Sequence, residues 1–280
     1  MHTTHIIPLP NRPPLELGPR PLIMGILNVT PDSFSDGGLH SAVEDAVAHA
    51  RAMVASGADI IDIGGESTRP GSETVAVQEE LDRVIPVIDA LRSAGIATPI
   101  SIDTYKPLVA DQAIQAGADM INDVLGLQGP PEMAEVAALY GAPVVAMHWD
   151  KTWDAQTLPL PAMTDYFTRT LAIADAAGLA RTQIILDPGF GFTKTMVQNY
   201  QILRLLPELL KAFPEHALLV GTSRKSMIGK LLGNQPDERL AGTIATSVQG
   251  YERGGHIFRV HDVAANRDAL RVAQATLYGP

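Results

Sequence analysis

The chain has 280 residues, a formal net charge of −10 and no cysteine. That length suits one large α/β domain or two small ones. The acidic balance argues against nucleic acid or an anionic membrane as partner, because both reward a basic face, and the missing cysteine excludes disulfides and thiolate metal sites.

No apolar run approaches the ~20 residues of a membrane span. Residues 1–14 lack the charged-then-apolar layout of a secretory signal, so a cytoplasmic location is expected. Residues 1–20, rich in proline and polar groups, read as an extended arm or a short strand pair, leaving 21–280 for the main domain. Apolar runs of strand length then alternate with helical patterns: LIMGIL (22–27), DIIDI (59–63), PISID (99–103), DMIND (119–123), PVVAM (143–147), IILD (184–187), ALLVG (217–221) and HIFRV (256–260). Between them, Ser41 with Glu44 fits a capping box, and Leu81, Val84, Ile85, Ile88 and Leu91 stripe a second helix that Pro86 should bend or interrupt. Pro107 suits a first helical turn, Met196, Tyr200 and Leu203 stripe the sixth helix, and Asp262 is placed to cap the last. Residues 234–254 predict an extra helix before the final strand.

Eight strand-then-helix units whose strands are apolar on both faces predict a closed (β/α)8 TIM barrel, in the α/β class, as a single domain with a short N-terminal arm. The alternative, an open doubly wound sheet, usually has fewer strands. In a barrel the chemistry belongs at the C-terminal strand ends, and those ends carry Asn28, Asp62, Asp103, Asn122, His148, Asp187, Ser223 to Lys225, and Arg259 with His261. Any one of these groups is more simply a cap or a loop hydrogen bond. A full ring of them costs stability unless its members satisfy each other or a ligand.

The carboxylates and amide of Asp103, Asn122 and Asp187 suit a flat heterocycle rich in N–H donors, with Lys225 donating to a ring carbonyl and Phe192 and Met147 packing on its faces. Arg259 and His261, two apart on one strand, should face the same way with Asn28 across the mouth, a cationic zone suited to phosphate. In ALLVGTSRKSMIG a strand hands over to a helix, whose N-terminus, with Arg224 and Lys225, favours an anion. The glycine- and proline-bearing loops 29–40 and 64–75 are long enough to act as lids. GFGF lacks the third glycine of a dinucleotide fingerprint, and GTSRKS lacks the upstream glycine of a P-loop.

The motifs LNVTPDSFSDGG (27–38), IDIGGESTRPG (61–71), SIDT (101–104), IND (121–123), DPGFGF (187–192), SRKSMIG (223–229) and RVHDV (259–263) together resemble the dihydropteroate synthase family, in family order over nearly the whole chain. The resemblance implies a transferase that joins 6-hydroxymethyl-7,8-dihydropterin diphosphate to 4-aminobenzoate with release of diphosphate, using Mg2+, as a homodimer. It implies that Asp103, Asn122, Met147, Asp187, Phe192, Lys225 and Arg259 hold the pterin. Thr68, Arg69, Arg259 and His261 would hold the diphosphate, with Asn28 binding it together with the metal. Phe34, Pro70, Lys225 and Ser226 would shape the aminobenzoate pocket, and Asp62, Thr68, Asp103 and Lys225 would serve the chemistry. One stretch departs from the family pattern: WDKTWDAQTLPLP follows His148 where a glycine- and proline-containing turn ending in Met-Gln is expected. A corrinoid-dependent methyltransferase on a similar barrel would keep the acidic slot but has no use for a diphosphate cradle, and a paralogue that binds pterin without catalysis is the third reading.

Overall fold

The structure is a computed structural model that describes residues 2–29, 38–67 and 74–280. Its first elements are two antiparallel strands, β1 (His5–Leu9) and β2 (Arg12–Leu17), so the arm is a hairpin. The pairing register shifts between Ile7 and Leu9, at Pro8, which has no N–H to give the ladder. The barrel strands follow: β3 (Leu22–Asn28), β4 (Ile60–Gly64), β5 (Ile100–Asp103), β6 (Met120–Asp123), β7 (Val144–Met147), β8 (Ile184–Asp187), β9 (Ala217–Val220) and β10 (Ile257–Val260). They pair in parallel and in chain order, and β10 closes against β3. Each expected strand is present to within about one residue, and the closed barrel is preferred over the open sheet.

Among the described residues the helices are α1 (Gly38–Ala55), α2 (Val77–Ser93), α3 (Pro107–Ala116), α4 (Glu132–Tyr140), α5 (Pro159–Ala177), α6 (Met196–Ala212), α7 (Ser226–Leu232), α8 (Leu240–Glu252) and α9 (Val263–Tyr278). The extra helix before the last strand is α8. Three local expectations change. Helix α1 begins at Gly38, so Ser41 lies inside it and is not its cap. Helix α2 runs unbroken through Pro86, because that residue faces solvent, where water meets the carbonyl left without its N–H donor. Asp262 does occupy the cap position of α9, but its carboxylate takes the Arg224 guanidinium instead of a helix N–H.

Successive strand residues point alternately outward to the helices and inward to the barrel axis. Outward, Ile61, Ile63, Ile100, Ile102, Ile121 and Val144 belong to the large core between sheet and helices. Inward and near the N-terminal mouth, Met24, Ile60, Met120, Val145, Ile185, Leu219 and Ile257 form a second core. The hairpin's Ile7, Leu9, Leu15 and Leu17 belong to that same cluster, so the arm is a stopper across the bottom of the barrel. Polar ties hold it there. Arg12 Nε donates to Asp119 Oδ1 at 2.6 Å, Arg92 takes the other oxygen of Asp119 at 2.6 Å, and Tyr251 Oη donates to the Pro19 carbonyl at 2.6 Å.

Candidate active site

The same inward alternation that builds the apolar floor ends in polar residues at the C-terminal mouth. In register across the sheet, Gly64 stands beside Asp103, Asp103 beside Asn122, and Met147 beside Asp187. Asp62 pairs with Ser101 one layer deeper. Between the polar top and the apolar floor lies an ion network. Arg259 Nε donates to Asp62 Oδ2 at 2.6 Å and Nη2 to Asp103 Oδ2 at 2.6 Å, while Asn122 Nδ2 donates to Asp62 Oδ2 at 3.1 Å. Asp62 is fully buried, where an unpaired carboxylate would be severely penalised, and these two donors keep it there.

Burial pushes the Asp103 carboxyl up to about 7, with Arg259 opposing and Asp62 adding to the shift. Its Oδ1 is buried without a hydrogen-bond partner in the protein. Burial alone would weaken the Arg259 charge, but Asp62 and Asp103 outweigh it and hold the guanidinium above its ordinary value. Asp187 is also raised by burial, against the Gly189 N–H that its Oδ1 accepts at 2.8 Å and the charge of Lys225. The site therefore keeps carboxyl groups near the axis in which burial works against the charged form and the neighbouring cations work for it.

One cleft is lined by Asp103, Asn122, Met147, Asp187, Phe192, Lys225 and Arg259, and the chain brings them together from six different strands and their loops. Lys225 Nζ lies 4.4 Å from the centre of the Phe192 ring. Three further lining residues, Val124, Phe190 and Gly221, were not singled out from the sequence. Val124 and Phe190 stand two and three residues beyond the marked polar residues Asn122 and Asp187, and that nearness was the available signal. Apolar side chains flanking a row of acceptors, with one ammonium at the edge, make a slot for a flat ring that presents N–H groups.

Of the remaining expected residues, Phe34, Thr68, Arg69 and Pro70 lie outside the described residues, as do 30–37 and 68–73 of the two long loops. Asn28 is exposed at the top of β3, on the strand next to β10 rather than across the mouth from it. Its Oδ1 stands 3.9 Å from where a side chain on Gly64 would begin, and Asp103 Oδ2 stands 3.6 Å from that point. Asp62 is beneath the cleft and acts through Arg259 and Asn122. His261 follows β10, with Nδ1 2.9 Å from Ser223 Oγ. Ser226 is exposed at the start of α7, which has only 7 residues and so offers a weaker dipole than expected. Arg224 is committed to Asp262, which leaves Lys225 as the cation of that turn facing the cleft.

His148 is a clearer correction. Met147 points inward, so the next residue points outward, and the His148 ring is fully buried among Trp153, Tyr166 and Phe167 at centroid distances of 5.0, 4.5 and 6.1 Å. Burial drops its pKa to about 3, so it is a neutral packing group. The departing stretch after it does touch the cleft wall: Trp149 meets Phe192 edge to face at 5.2 Å.

Comparison with known proteins bears on this geometry. Residues 24–261 match the family model described as pterin binding enzyme. The dihydropteroate synthase of Synechocystis is 49% identical over 269 residues, covering 92% of this chain and 91% of the relative. The chain belongs to the dihydropteroate synthase family. Among solved structures, the family member from Xanthomonas albilineans with 4-aminobenzoic acid superposes with a TM-score of 0.92 at 44% identity, covering 99% of this chain and all of that one. The family member from Yersinia pestis with a sulfonamide drug superposes at 0.86 and 44% identity, covering 95% and 97%.

Proposed function

We infer that this chain joins 6-hydroxymethyl-7,8-dihydropterin diphosphate to 4-aminobenzoate, giving 7,8-dihydropteroate and diphosphate in folate synthesis. The observation that carries the reading is the convergence of Asp103, Asn122, Asp187, Lys225 and Arg259 on one cleft at the C-terminal mouth. Asp103, Asn122 and Asp187 accept from the pterin's ring N–H groups and Lys225 donates to its carbonyl, while Met147 and Phe192 hold the faces. Breaking the bond from the pterin methylene to diphosphate leaves positive charge on the ring and added negative charge on the leaving group. Fixed carboxylates beside the ring and Arg259 at its edge favour that separation before any atom moves. Asp62 stands below and keeps Arg259 oriented. His261, with Thr68 and Arg69 of the second loop, would complete the cradle for the diphosphate, and Phe34, Pro70 and Ser226 the wall around the aminobenzoate.

Mg2+ fits this donor set in a limited way. Among the described residues no group of three or more His, Asp or Glu side chains is placed to hold a metal. Mg2+ keeps water and substrate phosphate among its ligands, so Asn28 at the mouth, together with diphosphate oxygens, suffices. Bound there, the ion would neutralise charge on the leaving diphosphate.

The test is direct. The purified protein incubated with the pterin diphosphate, 4-aminobenzoate and Mg2+ should form dihydropteroate, and omission of either substrate should abolish it. A protein that binds the pterin but forms no product would be the non-catalytic paralogue, and dependence on a corrinoid methyl donor would give the methyltransferase. Sulfonamides should inhibit, and added 4-aminobenzoate should relieve the inhibition. We further propose that 21–280 is the catalytic unit, 1–20 its structural arm, and the working form a cytoplasmic homodimer. Light scattering at the assay concentration checks the last point.

A further inference from the structure

Lys194 is among the buried charged residues that the reaction above does not use. Lys194, in the loop between β8 and α6, is only 7% exposed. Its ammonium donates to the carbonyl of Gly189 at 2.9 Å and to those of His148 and Phe192 at 3.2 Å each. Three N–H donors meet three acceptors, so the group's capacity is fully used. The carbonyls come from two different strand ends: His148 follows Met147 on β7, and Gly189 and Phe192 follow Asp187 on β8. Met147, Asp187 and Phe192 all line the cleft.

We propose that Lys194 is the positioning residue of the pterin slot, a single ammonium that sets the spacing between the Met147 side of the cleft and the arc from Asp187 to Phe192. Two further features of the fold support a purpose-built clamp. The arc passes so close to β7 that a side chain on Gly189, at φ +70°, would begin 2.1 Å from the His148 carbonyl oxygen. The outer face of the ammonium is covered by the Trp153 ring at 5.1 Å, so the departing loop after His148 seals the clamp from water. The charged groups facing it are Asp187 from β8, Asp150 from the loop after β7 and Lys225 from the turn before α7. Burial outweighs the two carboxylates and lowers the Lys194 pKa to about 7. Opening the arc would return the amine toward its ordinary 10.5, so the closed arc is favoured, not lost, as pH rises through 7.

The proposal rests on the synthase reading, and wild-type turnover in the same assay tests that reading separately. Lys194→Met keeps the length and removes the donors. It should raise the KM and the dissociation constant for the pterin diphosphate by about tenfold, the worth of roughly one charged hydrogen bond. It should leave the KM for 4-aminobenzoate within about twofold. An equal rise in both KM values, or a lowered thermal midpoint with pterin affinity intact, would reduce Lys194 to general structural support and overturn the assignment. If the methionine variant does not fold, Lys194→Arg decides by the same split. A guanidinium is larger and cannot seat all three carbonyls as an ammonium does, so the KM for the pterin diphosphate must rise while that for 4-aminobenzoate stays; equal changes in both overturn the proposal.

Discussion

The two mouths of this barrel are built by one rule and put to opposite uses. At the N-terminal mouth the inward positions are Met24, Ile60, Met120, Val145, Ile185, Leu219 and Ile257, and a hairpin adds Ile7, Leu9, Leu15 and Leu17 to cover them. At the C-terminal mouth, two residues further along five of those strands, the inward positions become Asp62, Asn122, Met147, Asp187 and Arg259, and β5 adds Asp103. The apolar end supplies stability by leaving water. The polar end withholds it, because its carboxyl groups are raised by burial and partnered only in part until a ligand arrives. Rigidity at one end is what allows incompletely satisfied groups to hold position at the other.

The sharpest way to break the comparison is a substitution that makes the polar mouth costly. Arg259→Met leaves Asp62 fully buried with Asn122 as its remaining partner, and breaking a buried pair from one side costs about 3–5 kcal/mol. Activity should be lost and the denaturant midpoint should drop together. Arg259→Met combined with Asp62→Asn and Asp103→Asn should recover much of the stability and none of the activity. A single variant as stable as wild type would show that the network is not what holds Asp62.

Next in size is Asp187→Ala, which removes ligand-facing chemistry together with the acceptor of the Gly189 N–H. Loss of paired, charge-assisted hydrogen bonds should weaken pterin binding by roughly a hundredfold, about 3 kcal/mol, with a smaller loss of stability than Arg259→Met, because release of a carboxyl that burial disfavours offsets part of the lost bond. Calorimetry reads the affinity, and retained binding would count against the slot. The mirror-image experiment is Ile7→Ala in the hairpin. It should cost about 2 kcal/mol of stability, at the low end for a core truncation because an edge hairpin can settle, and leave both KM values unaltered.

How much of this was readable beforehand follows from the same contrast. The strands were legible because burial on both faces gives unbroken apolar runs, as in LIMGIL and IILD, and the polar residues that end them marked Asp103, Asn122, Asp187 and Arg259. His148 stood among the strand-end groups with a structural role equally open, and the alternation that turns Met147 inward turns it out into the packing. Asn28 was put across the mouth although the closed barrel expected from the sequence already makes the first strand the neighbour of the last, as the pairing of β10 with β3 shows. Arg224 lies beyond the strand, where no period applies, and only the fold shows that Asp262 claims it. Lys194 carries no signal in the sequence, since its three acceptors are backbone carbonyls that every residue possesses. Burial of a lysine by main chain becomes visible only in three dimensions.

The smallest expected effect is confined to the stoppered mouth, and it separates the two ends by pH. His256 Nδ1 accepts from the Leu218 N–H at 3.2 Å, so its proton is on Nε2, which faces the Thr3 carbonyl of the arm at 3.2 Å. His5 packs edge to face on the same ring at 5.0 Å. Burial lowers the His256 pKa to about 3, and those of His2, His5 and His216 are lowered by the same cause. A folded-state value below the unfolded 6.5 means that the opened arm binds protons the closed one refuses, so stability present above pH 6.5 is lost as pH falls toward 3. The slope is at most about 1.4 kcal/mol per pH unit for each histidine, and it acts on local opening rather than on the whole barrel. Amide exchange in β1 and β2, corrected for intrinsic rates, should therefore speed up between pH 7 and pH 5 while the inner barrel strands stay protected. His256→Phe, which keeps the ring and cannot take a proton, should flatten that response without touching the pH dependence of pterin binding at the other mouth. If protection in β1 and β2 is the same at both pH values, the arm is held by Arg12, Tyr251 and its four core residues alone, and the histidines are packing.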